Sequence, residues 1–193
     1  GIAVGERLYG FFPMASHVVM KPGELSERGF TDVMPHRNEL PGLYNYYART
    51  QSEPAQLQAL EDQRCIFFPL FMTGYVIADL LLDNDWFGVQ QVVIGSASSK
   101  TGFSTAAFIR AAGFEGDIIG LTSDQNVGFS EALGCYDRVV PYREVEGVAN
   151  ESSAYIDIAG DVEVRSRLHN SLQKNAAHTL LVGATHWDQF GQS

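Results

Sequence analysis

The sequence predicts an α/β fold: a parallel β-sheet with helices on both faces, preceded by a partial β-rich, barrel-like segment. Three observations predict it. From Gln91 onward, short apolar runs alternate with amphipathic segments, the rhythm of parallel strands and their crossover helices. The helical segments carry their own start and stop residues. Residues 1–50 lack that rhythm and instead place short apolar runs between Pro, Gly and Asn.

Each element follows in chain order. Residues 1–12 read as a strand pair already in progress, and residues 17–20 as another short strand, ended by Lys21-Pro-Gly. This abrupt beginning leads us to expect an N-terminal portion that is not in the chain. Residues 22–51 are rich in Pro, Gly, Asn and Arg and read as loops around the aromatic stretch Tyr44-Asn-Tyr-Tyr. Ser52-Glu-Pro opens a helix that carries on to about Asp62, with a cap serine, an early acid and an early proline. Pro69 starts a second helix, ending near Asp83. The apolar stretch 65–82 is broken by Pro69, Gly74 and Asp79, and reads as a buried helix, not a membrane span. Strands are then expected at 92–94, 118–121, 138–140, 154–158 and 179–182. Helices are expected at 102–112, 125–133 and 162–172. Gly134 ends the second of these, and Asp161 stands where an N-cap of the third belongs.

Composition bounds the function. With 193 residues, 45% hydrophobic and 19% charged, the chain can bury a core and is not disordered by composition. A net charge of −10 argues against a nucleic-acid or acidic-membrane binder, whose footprint would be basic. It leaves room for a small basic pocket. The two cysteines, Cys65 and Cys135, form no CxxC pair and no disulfide framework. The expected location is the cytoplasm, and the expected partner a small-molecule substrate.

One turn carries a chemical signal. Residues 92–102 read VVIGSASSKTG: a strand, a small-residue turn and the start of a helix. Three readings stay open on the turn alone. A P-loop would need glycine directly before Lys100-Thr101 and another five positions earlier, where the chain has Ser99 and Ile94. A dinucleotide turn fits the position but would want glycine at 96 and 99 as well as at Gly102. Serine is small, and the free amides of a helix start bind anions whatever the side chain. Lys100 could add a charge. The third reading is a turn that binds nothing. The tip of the next strand is Thr122-Ser123-Asp124. An acid at the tip takes ribose hydroxyls and repels a 2′-phosphate, whereas Ser123 tolerates it. That points to NADP (NADPH) over NAD, unless Asp124 turns inward.

Further residues carry a family resemblance. Residues 92–102, then Ile119-Gly-Leu-Thr-Ser, then Ala132-Leu-Gly-Cys-Tyr-Asp-Arg-Val-Val-Pro-Tyr142 resemble the cofactor domain of the medium-chain dehydrogenase/reductases. They resemble its zinc-free, quinone-reductase-like branch, which writes "Leu-Gly-Ala-Asp-His-Val-Ile-Asn-Tyr". Tyr155-Ile-Asp-Ile-Ala-Gly160 is similar to its "Asp-x-Val-Gly" strand, and Leu180-Leu-Val-Gly-Ala184 to the strand beside the nicotinamide. Val4-Gly-Glu-Arg-Leu-Tyr-Gly resembles the "Val-Gly-Asp-Arg-Val" strand of the barrel-like substrate domain. Ser-Ala-Ser-Ser-Lys-Thr, Leu-Gly-Cys-Tyr-Asp and Val-Gly-Ala-Thr-His-Trp-Asp look closer still to a branch known as a conserved family of unknown function. Two fingerprint glycines are serines here, and Asn126 stands where NADPH-binding quinone reductases often place a lysine.

The resemblance implies residues 1–50 as a remnant of a substrate domain with its linker, and 51–193 as a Rossmann-like dinucleotide-binding domain. It implies a zinc-independent NAD(P)H oxidoreductase resembling quinone and enone reductases, in truncated form. The pyrophosphate would lie at Ser96, Ala97, Ser98, Ser99, Lys100, Thr101 and Gly102, with Ser123 at the adenosine end and Tyr142 also among the cofactor-binding residues. Gly160, Val182, Gly183 and Ala184 would flank the nicotinamide. Related folds pair an edge strand across a dimer axis, so a homodimer is one assembly it allows. A non-catalytic Rossmann-fold module for binding or dimerisation is the alternative. A third reading is an enzyme that uses ATP or S-adenosylmethionine.

No proton donor is fixed by the sequence. His186, just past the last strand, and Tyr46, in the aromatic stretch with Tyr44 and Tyr47, are candidates. A loop cap and interior packing are the plainer alternatives. His17 and His36 read as surface residues, and Cys135 as a small buried one. The five histidines (17, 36, 169, 178, 186) are too scattered for a metal site.

Overall fold

The structure, a computed structural model, describes residues 1–183. The chain falls into two units, Gly1–Ile66 and Phe67–Ser193.

In the first unit, β1 (Leu8–Tyr9), β2 (Pro22–Gly23), β3 (Gly29–Asp32) and β4 (Tyr46–Arg49) form an antiparallel sheet in the order β1-β4-β3-β2. Phe30 and Tyr47 face each other across β3 and β4, both buried, with rings stacked at 5.6 Å. Cross-strand aromatic pairs of this kind are what hold a small sheet. The two Nη2 and Nε donors of Arg49 reach Glu6 at 2.6 and 2.8 Å, and this guanidinium holds the Glu6 carboxyl below its usual range.

This arrangement corrects the sequence reading. The strand pair expected at 1–12 shrinks to Leu8–Tyr9, and 17–20 forms no strand. Three strands come instead from the stretch read as loops. The reason is partnership. Val4 and Val19 have strand-forming side chains but stand exposed, with no strand partner among the described residues. The pairing that decides is between distant segments, and only Phe30 and Tyr47 announce it.

Two helices follow, α1 (Ala55–Ala59) and α2 (Glu61–Asp83). The break falls at Leu60, and α2 runs straight through Pro69 instead of starting there. Proline removes one helical donor. Cys65, four residues earlier, is exposed, so its carbonyl can turn to water. Nor is α2 a buried helix. It buries Gly74, Ile77, Ala78 and Leu81, the spacing of one helical face, and exposes Tyr75, Val76 and Leu82. By length and composition it could cross a membrane, and 22% of its most apolar stretch is buried.

Asp85, Trp86, Phe87 and Gly88 all have positive φ (49°, 53°, 53° and 63°), making one left-handed turn before the next strand. Trp86 packs on Phe114 at 5.0 Å, and Phe87 stacks on His178 at 3.8 Å.

The second unit bears out the predicted fold class. Strands β5 (Gln91–Ile94), β6 (Asp117–Thr122), β7 (Arg138–Pro141), β8 (Ser153–Asp157) and β9 (Ala176–Leu181) form a parallel sheet in the order β7-β6-β5-β8-β9. Helices α3 (Lys100–Ala111), α4 (Val127–Ala132) and α5 (Val162–Leu172) connect them. Alternate residues of β5 feed opposite cores. Val92 and Ile94 pack with Ile77, Leu81 and Ile109, while Val93 packs with Val164, Leu168 and Leu172. Helices therefore cover both faces, as continuous apolar strands require. The chain leaves β5 toward β6 on one side and returns to β8 on the other. That reversal opens a crevice beyond the carboxyl ends of β5 and β8, where ligands of such sheets bind.

Candidate functional site

The turn at 95–99 borders that crevice. Ser96 takes φ +56°, the left-handed conformation that favours glycine, although it is a serine. Its amide donates to the Tyr142 hydroxyl at 3.0 Å. The Ala97 amide donates to the Leu121 carbonyl at 2.8 Å, and the Tyr136 hydroxyl to the Ala97 carbonyl at 2.9 Å. Thr122 Oγ1 and Ser98 Oγ lie 3.2 Å apart. The turn is thus fastened by groups from the ends of β6 and β7. Gly102 lies against it. A Cβ there would sit 2.5 Å from the Ser96 carbonyl, so only glycine lets α3 come this close.

Helix α3 starts on Ser99, whose Oγ accepts from the Gly102 amide at 3.0 Å. The amides of Ser98, Lys100 and Thr101 have no acceptor among the described residues. Lys100 makes no ion pair among them either. Unpaired amides, the positive end of a helix dipole and one lysine together suit an anion.

At the next strand tip, the Ser123 hydroxyl accepts from the Asn126 side chain at 3.0 Å. Asp124 pairs with Arg143, whose Nη2 is also 2.9 Å from Glu144. Burial pushes the phenols of Tyr142, Tyr136 and Tyr155 up, so all three stay neutral around neutral pH.

Across the crevice, the Asp157 carboxylate is fully buried at the end of β8. It accepts from the Gly160 amide at 2.7 Å and from Arg165 Nη1 at 2.7 Å. Asp161 caps α5, accepting from the Val164 amide at 3.0 Å. The Val182 amide donates to the Asp157 carbonyl at 2.9 Å, which sets residues 182–183 beside the end of β8. A Cβ on Gly183 would sit 2.5 Å from the Ile158 carbonyl.

The structure therefore gathers Ser96–Gly102, Ser123 and Tyr142 at the ends of β5, β6 and β7, and Gly160, Val182 and Gly183 at the ends of β8 and β9. Ala184 and His186 lie outside the described residues. Tyr46 belongs to the first unit, on β4, and is exposed. Tyr47 there is buried, with its hydroxyl donating to the Phe11 carbonyl at 2.8 Å. Burial pushes the Cys135 thiol up, away from reactivity. No three His, Cys, Asp or Glu side chains cluster as a metal site would need among the described residues.

Four groups escaped the sequence reading: Tyr136, Arg143, Tyr155 and Arg165. Tyr136 sits inside the quoted Leu-Gly-Cys-Tyr-Asp string, and Arg143 directly follows Tyr142. Their neighbours were the signal.

Among solved structures, the chain is similar to E. coli K-12 YhdH with bound NADPH. The identity is 16%, the match covers 58% of this chain and 36% of that one, and the TM-score is 0.43. It is similar to the YhdH oxidoreductase of Salmonella enterica in complex with NADP at 15% identity, covering 83% and 56%, TM-score 0.47. The quinone oxidoreductase of Coxiella burnetii matches at 15% identity, covering 75% and 46%, TM-score 0.39. The chain thus spans about a third to somewhat over half the length of these proteins. No curated protein matches it. The family model described as "Protein of unknown function (DUF2855)" matches residues 1–193, and the chain belongs to that family.

Proposed function

We propose that the chain binds a nicotinamide dinucleotide and serves a zinc-independent NAD(P)H oxidoreductase acting on a small molecule of the quinone or enone class. One observation carries this reading: the turn after β5. Its serines keep the backbone form of a glycine turn, with Ser96 left-handed and Gly102 in close contact, and three amides have no acceptor among the described residues. Ser96 through Gly102 would hold the pyrophosphate. Ser123 would lie toward the adenosine, Tyr142 beside the pyrophosphate turn, and Gly160, Val182 and Gly183 toward the nicotinamide. When bound, the cofactor supplies a hydride. The protein supplies position. Asp157 fixes the Gly160 turn through its amide, and the Tyr142 hydroxyl pins the strained Ser96.

The serine at the β6 tip supports NADPH over NADH, since no side chain of residue 123 repels a 2′-phosphate. The test is a calorimetric titration of the chain with NADPH and then NADH, followed by nicotinamide absorbance with quinones and enones added. Micromolar NADPH binding with substrate-dependent oxidation is expected. Binding without turnover would favour a non-catalytic module. No binding of either coenzyme to the folded chain would overturn the reading.

A further inference from the structure

Helices α2 and α3 run the same way, from the crevice end of the sheet to its other end. α3 starts where β5 stops, and α2 stops where β5 starts, with only residues 84–90 between. Their far ends agree: Trp86, just past α2, packs on Phe114, just past α3, at 5.0 Å. Nearer the crevice, a Cβ on Gly74 would sit 2.8 Å from the Thr105 amide nitrogen, so the helices touch there. Gly74 is thus level with Ser104 and Thr105, and Leu70 with the first turn of α3. Phe67, almost one turn earlier still, stands past the start of α3, beside the crevice. No residue from Phe67 to Thr73 is buried. Yet Phe71 is fixed in place. The rings of Phe103 and Phe108 meet it edge-on, both at 89°, with centroids 5.9 and 6.3 Å away. Phe67 lies against it at 5.2 Å. Phe67, Phe71 and Phe103 are half-buried and belong to neither core.

We infer that Phe67, Phe71 and Phe103 form a platform on which the flat ring of the substrate stacks, and that this substrate is a cyclic quinone and not an open-chain enone. This rests on the dinucleotide reading above. The platform is in reach of the coenzyme. Phe103 directly follows Gly102, at the helix start that would hold the phosphates. α2 packs in the core that also takes Ile158, Leu180 and Val182, from the ends of β8 and β9, the side given above to the nicotinamide. The rings exceed what packing asks of them. α2 already buries Gly74, Ile77, Ala78 and Leu81, and the phenylalanines lie ahead of that face. Apolar rings left half-buried beside a crevice gain by covering another apolar surface. The face of a phenyl ring is negative, and a quinone ring is electron-poor, so offset stacking adds to the gain from burial. Phe71 has already lost its freedom to Phe103 and Phe108, so stacking orders little that is not ordered beforehand. An open-chain enone has no ring face to offer.

The experiment titrates duroquinone and pent-3-en-2-one calorimetrically into the chain saturated with NADP⁺, which allows no turnover. The four methyl groups of duroquinone block its addition to the exposed Cys65. The wild type is compared with Phe67→Ala, Phe67→Leu and Phe67→Tyr. Duroquinone is expected to bind the wild type about tenfold or more tighter than the enone does. Phe67→Leu keeps apolar bulk without a ring and is expected to weaken duroquinone about three- to tenfold. Phe67→Ala is expected to weaken it further, Phe67→Tyr to keep it, and all three to leave NADP⁺ affinity unchanged. A wild type that binds NADP⁺ but not duroquinone, or the enone as tightly as duroquinone, overturns the inference and leaves the dinucleotide reading standing. So does full duroquinone affinity in Phe67→Leu, or an equal loss of duroquinone and NADP⁺ in Phe67→Ala. If the folded wild type binds no coenzyme, the reading and the inference fall together.

Discussion

After β5 the chain turns into α3, and after β8 it turns into α5. Both helices begin on a side-chain cap, Ser99 accepting from Gly102 at 3.0 Å and Asp161 from Val164 at 3.0 Å. Both turns contain a left-handed residue, Ser96 at φ +56° and Gly160 at φ +72°. What differs is charge. The cap of α5 is a carboxylate, and a second one, Asp157, is buried just before it with Gly160 and Arg165 as partners. The cap of α3 is a neutral hydroxyl, followed by Lys100. A helix start attracts an anion through its dipole and bare amides. At α5 the chain has supplied that anion itself. At α3 no carboxylate does so among the described residues, which leaves that end suited to an anion. Position in the sheet is shared; the local carboxylates are what differ between the two turns.

Three changes test this contrast, from the largest effect to the smallest. Asp157→Ala removes a fully buried carboxylate and leaves Arg165 and the Gly160 amide without their acceptor. A loss of about 3 kcal/mol in denaturant unfolding is expected. An unchanged midpoint would mean that α5's end is not closed by its own acid. Ser99→Asp copies the α5 arrangement onto α3. It keeps a cap, so stability should hold or rise slightly. Dinucleotide affinity should fall about ten- to a hundredfold, because a carboxylate now occupies the phosphate's side of the helix. Full affinity in that variant would show that the phosphates do not sit at α3. Ser96→Gly is the gentlest. It relieves about 1 kcal/mol or more of left-handed strain. Against that stands glycine's extra freedom in the unfolded chain, about 0.5–1 kcal/mol. A gain of about 0.5 kcal/mol in thermal melts is the expected balance, and a loss would mean that the serine hydroxyl holds the turn.

Much of the second unit was legible in the sequence. Residues 92–94 are apolar on both faces because both faces are covered, and such runs are readable without knowing their partners. The helix Val162–Leu172 was readable to its ends because Asp161 caps it and its apolar positions recur at helical spacing. The first unit was not legible. Gly29–Asp32 holds glycine, threonine and aspartate, and becomes a strand only because Tyr46–Arg49 lies beside it. Helix α2 misled through composition: its apolar residues run all round, but the fold covers one face. At the site, the order of strand, small-residue turn and helix was visible. The Asp124–Arg143 pair was not, because it joins the ends of two strands whose adjacency only the sheet order reveals.

The left-handed turn at Asp85–Gly88 has a consequence for how the chain is made. Ribosomes build from amino acids of one chirality, and that chirality favours the opposite winding. Gly88 is indifferent to it, but Asp85, Trp86 and Phe87 are not. For one turn the fold asks for the mirror image of its own building blocks. A chemically synthesised chain carrying D-amino acids at those three positions would suit this backbone better than the natural one. The natural chain keeps the turn because Trp86 and Phe87 find Phe114 and His178 to pack against.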